Sequence, residues 1–209
     1  MSDIELEFRI IHDTFRPKIF RYLSRMVGEN EAEDLTQEVF LKVNQALGNF
    51  KGESKLSTWL YRIATNAAID KLRTPSFQRI VHEQVSSESY EDDEVGNAEI
   101  SVLMGEKNPL VEQNLVRLEM NQCIRDFIEK LPEIYRTVLV LGELEGLENK
   151  EISDILGVSL GTVKIRIHRA REKLRKELEQ HCDSYWIIEN EFIPDFKEVL
   201  EEFRKADQL

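Results

Sequence analysis

Apolar side chains recur along this chain at steps of three and four, the period of helices that each bury one stripe. Over residues 3–27 the stripe is Ile4, Phe8, Ile11, Phe15, Ile19 and Leu23. Pro17 lies inside it and is expected to kink that helix or split it in two. Gly28 is placed as its C-cap. A second helix is expected after Asn30, because Asn30 and Glu33 have the spacing of a capping box. Its stripe is Leu35, Val39, Val43 and Leu47, and Gly48 stops it. A polar loop over residues 49–56 leads to Ser57, the expected cap of a third helix over Thr58–Arg73. That helix carries Leu60, Ile63, Ala64, Ala67 and Ala68 on one side and ends before Pro75.

From residue 76 to about 110 the periodicity weakens and acidic and Ser residues accumulate, the signature of a linker between two domains. A second helical block follows. Leu115, Leu118, Cys123, Phe127, Ile128 and Leu131 predict a helix over about 111–130. Pro132 opens the next, Glu133 to Leu144. Asn149–Leu156 and Leu160 to about Gln180 are two more helices. Gly157 supplies the turn between them and Ser159 the cap. Asp195–Lys205 can form a last amphipathic helix. The predicted fold is all-α. Two small helical domains, 1–75 and 111–180, are joined by a long flexible acidic linker, 76–110, and followed by an extension, 181–209.

Composition sharpens this picture without changing it. The chain has 209 residues, 41% hydrophobic and 33% charged, with only 9 Gly and 5 Pro, too few for many tight β-turns. No apolar run approaches the ~20 residues of a membrane span. The acidic start lacks the basic-then-apolar order of a signal peptide, so a cytosolic location is expected.

Charge is where the chain becomes informative. The net charge of -12 argues against nucleic acid if it is read alone. Its distribution reverses that inference. Thr162 to Leu178 holds seven basic residues and two acids, and Lys51 to Arg73 holds five basic residues and two acids. Between these islands, Glu83 to Glu106 holds eight acids and no Lys or Arg, and Asp183 to Leu209 holds eight acids against three bases. A phosphate backbone responds to charge within about a Debye length, ~10 Å, so the islands matter more than the sum.

Two short helices joined by a tight turn, the second one basic, make a helix-turn-helix arrangement. Ile152, Ile155, Leu156, Val158 and Val163 are the apolar residues that fix the angle between them. On the second helix Arg166 and Arg169 lie three apart, with Lys173 four further on. Arg166, His168 and Arg169 are the candidates for base edges or close groove contacts. Thr162, Lys164 and Arg171 suit phosphates. The third helix carries Trp59, Tyr61, Arg62, Asn66, Asp70, Lys71 and Arg73, preceded by Phe50 and Lys51. Aromatic, amide and basic side chains interleaved in this way suit single-stranded nucleic acid, whose bases stack on rings. Composition leaves a second reading open, in which Trp59 and Tyr61 are packing residues.

The stretch from Ala32 to Val43, then Phe50 to Ser54, then Ser57 to Asp70 resembles the second conserved region of bacterial RNA polymerase sigma factors. The stretch from Leu131-Pro-Glu through Gly161–Leu174 resembles their fourth region. The absence of a domain between the two resembles the extracytoplasmic-function (ECF) subfamily. The resemblance implies a promoter-specificity subunit without enzymatic activity or cofactor. Asp34, Gln37, Glu38 and Phe40 would dock on the β′ clamp of core RNA polymerase, and the fourth region would dock on the β flap. Phe50, Lys51, Ser54 and Lys55 would form a loop that captures a flipped minus-ten base. Trp59, Arg62, Asn66, Asp70 and Arg73 would hold the melted strand, and residues 160–178 would read the minus-thirty-five element of promoter DNA. An anti-sigma partner is implied. Ile165 departs from the family, standing where relatives commonly have a small polar residue. The extension after Gln180 runs beyond the fourth region.

The chain contains no P-loop, GxSxG, HExxH or CxxC. Its four His are scattered, and the adjacent His181 and Cys182 lack further ligands at metal spacing. Two rival readings stand beside the sigma factor. One is a stand-alone helix-turn-helix regulator, and the other is a structural adaptor, whose binding would be insensitive to salt.

Overall fold

A computed structural model of the chain describes residues 3–75, 77–78, 124–181, 187–188 and 191–192. The first group of helices is α1 (Asp3–Val27), α2 (Glu29–Leu47) and α3 (Leu56–Leu72). The second begins with a helix whose described part is 124–130 (α4). It continues with α5 (Glu133–Leu139), which passes directly into a π-helical turn (Val140–Leu144), then α6 (Asn149–Leu156) and α7 (Leu160–His181). Two-residue strands β1 (Ile187–Ile188) and β2 (Glu191–Phe192) pair antiparallel, with Ile187 opposite Phe192. The remainder of the expected linker, the first part of the helix over 111–130 and the helix at Asp195–Lys205 lie outside the described residues.

The stripes read from the sequence are buried for most of their length, although Ile4 is 51% exposed and Phe8, Phe15 and Ile63 are half-buried. Ile19, Leu23, Val39, Val43, Leu60, Ala64 and Ala68 are buried in the first group, and Ile152, Ile155, Val163, Ala170 and Leu174 in the second. Pro17, however, neither kinks nor splits α1, which runs unbroken through it. Proline removes the hydrogen bond to the carbonyl four residues back. Asp13 and Pro17 are both exposed, so water can satisfy that carbonyl. The capping box expected at Asn30 is not made either. Gly28 alone connects α1 to α2, at φ 86, a backbone angle that glycine adopts without Cβ strain. Its N–H donates to the Ser24 carbonyl at 2.9 Å. The chain therefore reverses in one residue, Glu29 and Asn30 are already helical, and Glu33 is taken by Arg16 across the turn at 2.5 Å. Similarly, α3 starts at Leu56, one turn position ahead of Ser57, and its N-cap residue Lys55 makes no side-chain cap.

In the second group the caps follow the sequence more closely. Ser159 Oγ accepts the Thr162 N–H at 3.1 Å at the start of α7. Gly157 ends α6 in the left-handed region at φ 64, ψ 30. A capping box not foreseen closes the start of α6, where Glu148 and Glu151 each accept the other's backbone N–H. Pro132 stands at the N-cap of α5, one position before its first turn.

The described helices of the two groups touch. Helix α3 lies along α6 and reaches the start of α5, and α1 meets the π turn. The buried apolar side chains of both groups form one continuous cluster. Sequence periodicity shows that a stripe must be covered, but not by which element, so this packing was not readable in advance.

Candidate nucleic-acid interface

Helix α7 buries Val163, Ile167, Ala170 and Leu174, spaced four, three and four. Every other side chain of its first four turns is thereby pushed outward. Helical spacing places Thr162, Arg166, Arg169 and Lys173 on one flank, and Lys164, His168 and Arg171 on the other. His168 stands across the helix from Arg166 and Arg169, with its ring near Glu172 at 3.5 Å. Arg171, expected at phosphate, is held by Glu143 through Nε at 3.1 Å and Nη2 at 2.5 Å. Lys173 Nζ lies 5.7 Å over the Tyr135 ring, a cation–π distance. Between the flanks stands Ile165, 55% exposed. Lys164, His168 and Arg169 are exposed, and Arg166 is half-buried.

The second cationic surface is a flank of α3 and the loop before it. Phe50 and Trp59 are half-buried, and their rings lie 4.9 Å apart at a 35° tilt. Lys51, Arg62, Asn66 and Asp70 are exposed, and Ser54 is half-buried. Tyr61, by contrast, is a packing residue. It is 4% exposed, stands edge-on to Tyr22 at 5.4 Å and donates its hydroxyl to Glu145 at 2.6 Å. Burial first, and then the carboxylate beside it, push its phenol far above its ordinary range. For Tyr61 the structure selects the packing alternative, while Trp59 keeps part of its face open.

The three cations at the ends and middle of this flank meet the second helical group. Lys55 donates to Glu151 at 2.9 Å. Arg62 donates to the Asp154 carbonyl at 2.7 Å. Arg73 forks onto both oxygens of Glu133, at 3.0 and 2.7 Å. The hydrogen bond from Lys55, helped by the Glu148 N–H, holds the Glu151 carboxyl below the usual carboxylate range. Deeper in the same junction Arg25 meets Glu145 at 2.5 Å, with side chains only 7% and 2% exposed. Arg136, half-buried, donates to the Met26 carbonyl at the C-terminal end of α1, at 2.7 Å. Arg25, Glu145 and Arg136 carried no signal in the sequence. Each is a lone charge near an apolar stripe, and only the packing turns it inward.

On α2, Asp34, Gln37 and Glu38 are exposed as expected. Phe40 does not belong with them. It is 4% exposed, and its ring packs edge-on against His12 of α1 at 4.9 Å. Its neighbour Leu41, 63% exposed, continues the ridge of Asp34 and Glu38 at the next helical step. Leu41 was missed, although its signal was legible: it is an apolar residue standing off the buried stripe.

Two family models match this chain. Sigma-70 region 2 matches residues 11–76, and Sigma-70 region 4 matches residues 121–174. The ECF RNA polymerase sigma factor SigW of Bacillus subtilis (strain 168) is 40% identical over 175 residues, covering 82% of this chain and 88% of its own. The ECF RNA polymerase sigma-E factor of Escherichia coli (strain K12) is 36% identical over 174 residues, covering 82% and 86%. Among solved structures, the sigma factor RpoE of Bartonella quintana, in complex with the anti-sigma factor NepR, aligns with a TM-score of 0.57 at 20% identity. That alignment covers 84% of this chain and 98% of the other. With both matched regions in order and relatives aligned across most of its length, the chain belongs to the ECF sigma factors, which direct RNA polymerase to specific promoters to begin transcription.

Proposed function

We propose that the two cationic surfaces divide promoter recognition between them: α7 reads the duplex minus-thirty-five element, and the flank of α3 with the 50–55 loop holds the unwound minus-ten strand. The observation that carries this reading is the outward face of α7. Lys164, Arg169 and Lys173 are exposed around a turn capped by Ser159, a geometry that fits a major groove about 12 Å wide. Arg166 and Arg169 on the Thr162 flank are the base-edge candidates. Lys164 and His168 on the other flank face phosphate. Trp59 offers the exposed part of its ring to an unstacked base, with Arg62, Asn66 and Asp70 beside it.

Core RNA polymerase docks on the ridge of α2. Asp34, Gln37 and Glu38 supply polar complementarity to the β′ clamp, and Leu41 supplies the apolar anchor in place of Phe40. The second helical group takes the β flap. These partners are cytoplasmic, and so is the proposed site of action. An anti-sigma protein holds the chain inactive, as the similarly folded sigma factor RpoE is captured in complex with the anti-sigma factor NepR.

In vitro transcription with purified core polymerase over a genomic promoter pool tests the assignment. Arg169→Ala should weaken minus-thirty-five selection while core binding in a pull-down is unchanged, and Leu41→Glu should do the reverse. Equal loss of both activities in either variant would contradict the division of roles.

A further inference from the structure

Lys55, Arg62 and Arg73 are spaced seven and eleven residues apart, which puts them on one flank of α3 with Trp59, Asn66 and Asp70. All three are engaged by the second helical group, through Glu151, the Asp154 carbonyl and Glu133. The donors of these three cations are thus taken by two carboxylates and a backbone carbonyl, and a phosphate oxygen or a base acceptor would compete for the same donors. The fork of Arg73 onto Glu133 is also the geometry by which arginine grips a phosphate.

The cationic ends of these outer pairs are exposed, 71% for Lys55 and 64% for Arg73, while Glu151 and Glu133 are half-buried. Pairs open to water on one side are weak enough to exchange for other anions. What holds them in register lies beneath. Arg25, on α1, and Tyr61, on α3, both close on Glu145, which follows the π turn of the second group. The same junction is sealed by Arg136 on the end of α1. Meanwhile the outer face of α7 takes no part in the junction, and Lys164, His168 and Arg169 stay exposed. The closed chain thus leaves one of its DNA surfaces open and fills the other with its own acidic edge.

We propose that the edge formed by Glu133, Glu145, Glu151 and the Asp154 carbonyl is a resident competitor for the single-strand surface of α3. The closed chain then binds duplex DNA, and it accepts a single strand only after the Arg25–Glu145–Tyr61 contact opens. The order of promoter engagement is built into the fold, with the paired element first and the melted strand second. The inference rests on the proposed assignment of the α3 flank to single-stranded DNA.

The test uses the full chain. Fluorescence anisotropy is measured with two probes, a short fluorescein-labelled single strand of randomised sequence and a duplex of the same length. Small-angle X-ray scattering reports compaction. Glu133→Gln/Glu151→Gln removes two carboxylates while an amide oxygen can still accept the Glu148 N–H of the α6 cap, Glu145→Gln removes the buried charge, and circular dichroism checks that both variants keep their helices. Both should expand the chain and raise the single-strand to duplex affinity ratio, by about tenfold in Glu133→Gln/Glu151→Gln. The exchange Arg25→Glu/Glu145→Arg should restore both compaction and the low ratio. If the variants expand and the ratio stays put, the competitor idea is overturned. Arg62→Ala in the expanded chain then shows whether the α3 assignment failed with it, since that assignment requires a loss of single-strand binding. If the variants stay compact with an unchanged ratio, the lock is refuted while the α3 assignment stands or falls on Arg62→Ala alone.

Discussion

The Arg25–Glu145 pair offers the sharpest test of how the two helical groups are coupled. The partners lie 120 positions apart, on α1 and at the end of the π turn, with side chains 7% and 2% exposed. Removing one partner of a buried pair strands the other charge in a medium that cannot solvate it, at a cost of about 3–5 kcal/mol. Replacing both partners removes the stranded charge as well, and such replacements are often neutral. Arg25→Met alone should therefore be strongly destabilising, because Glu145 keeps only the Tyr61 hydroxyl. Glu145→Gln alone should be similarly costly, because the guanidinium loses its counter-charge. In Arg25→Met/Glu145→Gln the amide oxygen still accepts from Tyr61 and no charge is left unpaired. The double variant should then recover much of the loss, with an interaction energy toward the upper end of the roughly 0.5–3 kcal/mol seen between touching residues. Urea unfolding of the four proteins of this cycle measures it. Costs that add within about 0.5 kcal/mol would show that the two side chains do not act as a pair, and the closed junction would lose its central contact.

Two other predictions concern separate parts of the molecule. The Glu151 carboxyl is held below its ordinary range when folded, chiefly by Lys55 and then by the Glu148 N–H. The folded chain therefore binds fewer protons there than the unfolded one, and stability gained from this group is present above about pH 4.3 and lost as pH falls through the lowered folded value. Compaction followed by scattering should weaken on that acid limb, and Glu151→Gln should flatten this contribution. Inside the first group, Tyr22 Oη and Thr65 Oγ1 share a fully buried hydrogen bond of 2.8 Å, so Tyr22→Phe leaves a hydroxyl without its partner. A loss of about 1–3 kcal/mol in chemical unfolding is expected, and Tyr22→Phe/Thr65→Val should restore much of it.

Much of this molecule was written in local pattern. Helix period, the Gly28 and Gly157 reversals and the Ser159 cap are short-range effects, set by residues within a turn of one another, and they placed the elements to within a few positions. The charge islands were legible for the same reason, since each is concentrated on or beside one helix, α3 and α7. Errors arose wherever a residue's fate depended on a partner distant in the chain. Phe40, grouped with Asp34, Gln37 and Glu38, is buried where its ring meets His12 of α1, 28 positions earlier, and its neighbour Leu41 is the exposed apolar residue. Tyr61 read equally well as a stacking ring or a packing one until Glu145 arrived 84 positions later to accept its hydroxyl. The closing of the two helical groups on each other was the least legible feature. Hydrophobic periodicity requires that a face be buried but is silent on what buries it. A lone Arg or Glu beside an apolar stripe has the same signature whether it reaches water or an opposite charge, and only the assembled core distinguishes the two.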